Sequence, residues 1–261
     1  MAKNEVVKKE ESAVAAFDVS MFEADAHGGL GKVDQEDMAL PFLKIVSGLD
    51  PILDEREDVR KGDILNTVTG EVFKGKDGIK VIPCAYQRKY IQWSPRGSGS
   101  GAPVAIYDPS DDMPETERDP NDNKEYLKDG SGDYIEQTSQ WYVKVLSDNG
   151  ATNALIAMKS TQLKKSRKWM SMILSREMQG QNGAFVPPMY SHIYLLKTIQ
   201  EENSKGSWHG WEMSLEGPIT TRGQYDSAKT FNQSIEKGEV KVKHTQEGAD
   251  AGDKTGDDIP F

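Results

Sequence analysis

Aromatic and basic side chains alternate along two segments whose residue types are typical of β-strands, 79–93 and 139–147. Neighbouring side chains of a strand point to opposite faces, so alternate residues of the two segments are expected to share one face. Exposed rings stack on bases and cations neutralise phosphates, and this face therefore predicts binding to single-stranded nucleic acid. Ordinary cross-strand pairing on a half-exposed sheet explains the same tyrosines equally well. The predicted face consists of Lys80, Tyr86, Arg88, Tyr90, Tyr142 and Lys144.

A second basic group lies on a predicted helix that begins at Ser160 or Thr161 and runs to about Met178. Its cations would contact backbone phosphates. A solvated helix face is the simpler interpretation, because such clusters are common on amphipathic helices. The candidate residues are Lys164, Lys165, Arg167 and Lys168.

The chain ends in a polar, acidic stretch that closes on two apolar residues, a proline and a free carboxylate. Its last five residues are Asp257, Asp258, Ile259, Pro260 and Phe261. This tip resembles the bacterial single-stranded DNA-binding protein family, whose chains end in the same five residues after an acidic linker. The resemblance implies a docking site for replication, recombination and repair enzymes. Physical reasoning agrees, since a segment that cannot bury Ile259 and Phe261 within itself can insert them into a pocket of a partner.

The rest of the chain does not resemble the bacterial housekeeping protein. The preceding acidic segment, the long insertion and the terminal helix look instead like the divergent single-stranded DNA-binding proteins of tailed phages. Functional roles are therefore carried over to the five terminal residues alone. The implied function is to bind and protect single-stranded DNA during phage replication and recombination, and to recruit enzymes through the tail.

The order of the predicted elements favours an all-β core. Three strands or hairpins precede the helix and two more strands follow it, as in a five-stranded OB-type β-barrel with a helix between strands 3 and 4. A C-terminal helix and a disordered tail complete the predicted fold. Besides the helix already given, the predicted elements are a hairpin at 63–73, strands at 79–93, 139–147, 153–158, 189–199 and 207–215, and a helix at 222–237.

Composition divides the chain into regions. Residues 61–107 carry 7 basic against 3 acidic residues and residues 137–243 carry 14 against 9, although the whole chain has a net charge of -10. Acid and loop-forming residues are concentrated elsewhere. The predicted organisation is an acidic, partly disordered arm at 1–37, an OB-fold-like DNA-binding domain at 38–220 with a flexible acidic insertion at 94–136, a helix at 221–240 and a disordered docking tail at 241–261. Apolar residues between 38 and 46 are expected to pack on the barrel.

Several classes of protein are disfavoured. A single cysteine, Cys84, excludes an internal disulfide framework and indicates a reducing compartment, and no stretch has the length of a membrane span. The expected location is the cytoplasm of a bacterial host. The carboxylates between Asp111 and Glu117 lie in a proline-containing stretch, and the four histidines show no metal-site spacing. We therefore expect no catalytic residues, no metal, no cofactor, no membrane partner and no enzyme activity, and leave homo-oligomerisation open.

Two other functions fit the same features. A phage recombination protein that anneals complementary strands would share the basic core and the docking tail. An interaction protein that uses the tail to inhibit host repair enzymes would need no affinity for DNA. Accelerated pairing of complementary strands would identify the first, and absence of single-strand binding at low salt the second.

Overall fold

The computed structural model describes residues 24–26, 28–29, 31, 39–147, 150–204 and 206–246. Two units divide the chain at 38/39, and the fold described below is that of the second. Most of the predicted arm at 1–37 lies outside the described residues, as do Asp148 and Asn149 of the predicted hairpin turn and all residues from 247 onward.

Strands dominate the second unit, which confirms the predicted β core. The helices are α1 (Ile52–Glu55), α2 (Leu163–Leu174) and α3 (Arg222–Glu236), with short 3₁₀ turns at Ser160–Gln162 and Met189–Ser191. The strands are β1 (Leu43–Ile45), β2 (Ile64–Asn66), β3 (Val72–Phe73), β4 (Ile79–Trp93), β5 (Ala105–Tyr107), β6 (Thr116–Arg118), β7 (Glu125–Leu127), β8 (Tyr134–Ser147), β9 (Gly150–Lys159), β10 (Met178–Gly180), β11 (Gly183–Phe185), β12 (His192–Asn203) and β13 (Gly206–Pro218).

Five long strands form a sheet that curls into a half-barrel, in the order β13-β12-β4-β8-β9 with antiparallel neighbours throughout. In sequence order the five long strands are β4, β8, β9, β12 and β13. The fourth of them, β12, lies beside the first, β4, which is the spatial order 4-1-2-3 of a Greek key. The described chain also contains a smaller sheet, β1-β2-β3. Its strand β1 supplies Leu43 to the core, and Ile45 packs beside it, as expected for the apolar stretch at 38–46, of which Met38 is not described.

The two faces of the β4–β8 pair are both covered. The face that carries Trp141, here called the inner face, lies under α2 and forms the larger core. Trp141 and Trp169 of α2 are both fully buried, and their rings stack with centroids 4.2 Å apart. The Trp141 indole N–H donates to Ser166 Oγ at 2.9 Å, so α2 is fixed by packing and by a buried hydrogen bond.

The opposite or outer face carries Tyr142 and lies under α3. Phe231 and Ile235 of α3 pack with Ile82 and Leu155 of the sheet, and Thr221 caps the helix by accepting from Gln224 N. The helix has the bounds that its amphipathic pattern predicts, within one residue. An extended segment, residues 240–246, follows α3 and is here called the C-terminal strap; Val240 and Val242 pack into the same core.

A β-bulge in β4 controls which side chains share a face. Pro83 pairs with Val143 and Ala85 with Tyr142, so Cys84 is one extra residue without a partner on β8. Asn232 of α3 donates its side-chain N–H to Cys84 O at 3.0 Å. Because a one-residue shift exchanges the two faces, the alternation of β4 reverses beyond Cys84.

The acidic insertion at 94–136 is more ordered than expected, because it contains β5, β6, β7 and the first residues of β8. β4 and β8 pair along their whole length, and β5 and β7 add to their far ends. Tyr134 packs with Ile91 and Trp93 of β4 in a separate small core. Strand pairing extended from the long strands therefore supplies the order that composition alone does not indicate.

The predicted helix at 160–178 is shorter in the structure, where α2 ends at Leu174. A small hairpin, β10–β11, follows, with Gly183 at φ 107° beside its turn. Met178, the predicted last residue of the helix, pairs with Phe185 in this hairpin instead, and Gly183 adopts the backbone conformation that its turn needs.

Candidate nucleic-acid interface

The predicted aromatic and basic face is divided between two sides of the sheet. Beyond the bulge, Tyr86 pairs with Trp141 and Arg88 with Ser139, so both lie on the inner face. Tyr142 and Lys144 lie on the outer face. The prediction that these residues share one face is wrong, because it assumed unbroken alternation along β4.

Tyr142 and Lys144 are covered by α3 and are not presented to solvent. They are 2% and 7% exposed. The Lys144 ammonium donates to Asn153 Oδ1 at 2.8 Å and lies 5.5 Å from the centre of the Phe231 ring. Burial lowers the pKa of Lys144 and raises that of Tyr142 to about 12. In this arrangement both side chains hold α3 on the sheet.

The C-terminal strap completes the cover of the outer face. The Tyr142 hydroxyl donates to Gln140 Oε1 at 3.1 Å, which turns the amide nitrogen of Gln140 toward His244 Nε2, 2.7 Å away. His244 also meets the Phe42 ring edge-on. Burial lowers the pKa of His244 to about 4, and the nearby cations Lys159 and Lys89 act in the same direction. The ring is therefore neutral at pH 7 and accepts from the amide.

Three predicted residues, Tyr86, Arg88 and Tyr90, remain together on the inner face. The Tyr86 ring is half-buried against Trp141, and its hydroxyl lies 3.2 Å from Ser139 Oγ. Arg88 is exposed, with its guanidinium 5.9 Å from the centre of the half-buried Tyr90 ring. Tyr86 is thus mainly a core residue, whereas Arg88 and Tyr90 present an aromatic and cationic pair at the surface.

The basic cluster of α2 lies on the same inner face, since α2 covers it. Lys164, Arg167 and Lys168 are exposed at helical spacing, and none of the three forms an ion pair within the described ranges. Lys165 differs, because it forms a 2.6 Å ion pair with Glu201 of β12. Positions i, i+3 and i+4 share one side of a helix. Lys164, Arg167 and Lys168 are therefore neighbours on α2 and are here called the cationic ridge of α2.

Lys80 lies before the bulge and apart from this group. Its exposed ammonium is 3.2 Å from the Glu216 carboxylate of β13. The five terminal residues predicted to bind partners, Asp257 to Phe261, lie outside the described residues.

Sequence reasoning missed a further aromatic and basic group at one end of the half-barrel. Lys61 lies beside Trp208 and His209 of β13 around a cavity of about 390 Å³. A local signal was available, because the predicted hairpin at 63–73 is preceded by Arg60-Lys61-Gly62 and followed by Lys74-Gly75-Lys76. Each of these two segments combines basic residues with a glycine, which allows the backbone to turn tightly. Because they lie at the two ends of one hairpin, they bring their cations close together.

Neither a metal-binding cluster nor a membrane-spanning helix is present among the described residues. No three His, Cys, Asp or Glu side chains in these ranges converge as metal ligands would. None of the helices in the same ranges combines the length and apolar character needed to cross a bilayer.

Comparison with known proteins identifies the family of this chain. The family model described as Pam3 phage gp34-like protein matches residues 8–241, which include every helix and strand described above. No curated protein and no solved structure matches. The matched range ends before the five terminal residues. This chain belongs to the Pam3 phage gp34-like family and is a phage protein.

Proposed function

We propose that this phage protein binds single-stranded DNA through the inner side of its sheet. The observation that carries the proposal is the cationic ridge of α2, Lys164, Arg167 and Lys168, on the same side of the sheet as the Arg88–Tyr90 pair. These cations are free to pair with phosphates, and a surface tyrosine offers a ring on which a base can stack. A chain with net charge -10 gains such a surface only by segregating its charges.

The fold supports the same function. An OB-type barrel is a Greek-key barrel with a helix between its third and fourth strands, and here α2 follows β9, the third long strand. We propose that the half-barrel is a divergent, open member of this type. The acidic insertion would then be the loop between the first and second strands, one of the loops that bind oligonucleotides in OB-folds.

The proposed role of the terminal residues is recruitment of replication, recombination or repair enzymes. Its support is the match of Asp257 to Phe261 with the tip of bacterial single-stranded DNA-binding proteins, together with the apolar anchors Ile259 and Phe261. Deleting Phe261 alone should abolish pull-down of host replication enzymes and leave DNA affinity unchanged. Equal pull-down by the full-length protein and by the form that lacks Phe261 would disprove the docking role.

Titration of the full chain with labelled oligo-dT and with duplex of equal length tests DNA binding. We expect tighter binding to the single strand and a steep fall in affinity with salt. Replacing Lys164, Arg167 and Lys168 by Gln should reduce the salt slope by about 2, since each phosphate contact contributes about 0.7. Lys229→Gln with Lys237→Gln, at exposed positions on α3 and directly after it, is the control for loss of surface charge elsewhere. Equal affinity for duplex, or no binding at low salt, would overturn the proposal.

A further inference from the structure

Two adjacent cavities open at the end of the half-barrel where β12 and β13 meet the smaller sheet. They measure about 390 and 490 Å³ and share Lys61 and His209. The first is also lined by Trp208, and the second by the 74–77 turn. The two together are here called the loop cleft.

A buried carboxylate holds the walls of the loop cleft in place. Asp63 is 6% exposed and accepts from Arg60 N at 3.0 Å, from Gly75 N at 3.2 Å and from the Lys74 ammonium at 2.9 Å. Its negative charge is therefore used within the wall. Arg60, Lys74 and Gly75 all depend on it for their position.

Close contacts between β12 and the backbone at Gly62 and Gly75 fix the shape of the loop cleft. Thr198 of β12 donates its hydroxyl to Gly62 O at 2.5 Å and its backbone N–H to Gly75 O at 2.9 Å. A side chain at Gly75 would come within 2.0 Å of Gly62 O, and one at Gly62, where φ is +91°, within 2.4 Å of the His209 ring. Both positions therefore require glycine.

The loop cleft is lined by more cations than acids. Arg60, Lys61 and Lys76 are exposed and form no ion pair with any described residue, whereas the acidic lining residues are Asp77 and the already paired Asp63. His209 responds to this environment, since burial and then Lys61 lower its pKa. The cleft is thus a positive site on an acidic protein.

The cleft is continuous with the helix that carries the cationic ridge. The Trp208 indole N–H donates to Glu201 Oε2 at 3.2 Å, and the other oxygen of this carboxylate pairs with Lys165 of α2. Gln162, at the start of α2, accepts from Trp211 N at 3.1 Å. The Glu201 carboxylate therefore links Trp208 to the helix that carries the cationic ridge.

We propose that the loop cleft binds the phosphodiester backbone of a single DNA strand, with Lys61 and Lys76 pairing to phosphates and Trp208 stacking on a base. This inference rests on the proposed single-strand binding and adds a second contact region to it. A positive groove beside an aromatic ring has the two elements that sequence-tolerant strand binding requires.

The test compares full-length variants for oligo-dT affinity and its salt dependence. Lys61→Gln with Lys76→Gln should weaken binding about tenfold at low salt and reduce the salt slope by about 1.4, as two lost phosphate contacts would. Lys229→Gln with Lys237→Gln should change neither quantity. An unchanged slope in the cleft variant, in a protein whose slope does fall when the α2 ridge is altered, would overturn the cleft and leave the proposed function intact. Absence of any oligo-dT binding by the wild type would overturn both.

Photo-crosslinking tests the stacking contact. An oligonucleotide that contains 5-iododeoxyuridine should form an adduct with the peptide that includes Trp208, and the adduct should be lost in Trp208→Leu. Adducts confined to other peptides would overturn the assignment. Inorganic pyrophosphate distinguishes the source of the phosphate. If it competes for the cleft while oligo-dT changes the tryptophan fluorescence of the wild type and of Trp208→Leu equally, the cleft is a site for a free phosphate compound and the proposal is wrong.

Discussion

The two faces of the β4–β8 pair are both buried, but by different means. On the inner face, Trp141 stacks on Trp169 in an apolar core that includes residues from both ends of the sheet. On the outer face, its neighbour Tyr142 takes part in a polar network with Gln140 and His244. In the sequence, the inner cover α2 comes between β9 and β12, which are both strands of the sheet. The outer cover, α3 and the C-terminal strap, follows the last strand, β13. The outer cover can therefore be loosened without interrupting the sheet, and the inner cover cannot.

Replacing Trp141 by Ala should have the largest effect on stability. The substitution removes a fully buried indole, its stacking contact with Trp169 and its hydrogen bond to Ser166. We expect a loss of about 4 to 5 kcal/mol in the free energy of unfolding, measured by urea denaturation. A loss no greater than that of the outer-face variant Phe231→Ala would contradict the difference between the faces.

Phe231→Ala should weaken the outer face selectively. Phe231 is 5% exposed and contacts both Tyr142 and Lys144, so we expect a loss of about 3 kcal/mol. Hydrogen exchange should show reduced protection for amides of α3 while those of α2 keep theirs. Equal loss of protection in both helices would show that the two covers unfold as one unit.

Acid should release the C-terminal strap before the rest of the fold. Since the pKa of His244 is about 4 in the folded protein and near 6.5 when unfolded, lowering the pH protonates the unfolded state first. Stability should fall between pH 6.5 and 4 by at most about 3 kcal/mol and change no further below pH 4 from this group. His244→Gln should lessen this dependence, whereas Lys243→Gln, its exposed neighbour, should retain it. The same pH dependence in both variants would assign the effect to other groups.

Lys80→Gln should have the smallest effect. The Lys80–Glu216 pair is exposed, and such pairs typically contribute only about 0.2 to 1 kcal/mol. Unfolding midpoints and oligo-dT affinity should both stay at wild-type values, because Lys80 is separated from the α2 ridge by the bulge. A clear loss of oligo-dT affinity would show that DNA contacts Lys80, and the proposal that DNA binds on the inner side of the sheet would then be wrong.

Local patterns predicted the elements better than the faces. The β8–β9 hairpin and α3 follow from alternation, turn residues and amphipathic spacing, which act over a few neighbouring residues. The cover of Tyr142 depends instead on contacts such as Asn232 with Cys84, which are 148 residues apart. The acidic insertion was misjudged for a similar reason, since its order comes from pairing with the ends of β4 and β8.

The candidate site shows the same division. The cations of α2 were located by composition and spacing, but no local pattern indicates which of them a distant carboxylate such as Glu201 neutralises. One local warning was present in β4, where Pro83 cannot donate to a strand ladder and commonly marks a bulge. The loop cleft depends on Thr198 meeting Gly62 across 136 residues, and a single sequence does not reveal such an encounter.

The bulge at Cys84 also limits how this chain can change in length. Deleting Cys84 would leave Ala85 opposite Tyr142 and Tyr86 opposite Trp141, because the extra residue has no partner on β8. Deleting Gln87 with the bulge kept would instead send Arg88 and Tyr90 to the side of α3. The segment between β4 and β8 has turns that can lengthen or shorten without such an exchange. Alignments of related phage proteins should therefore place their gaps in the acidic insertion or at the bulge and leave the residue count from Ala85 to Trp93 constant.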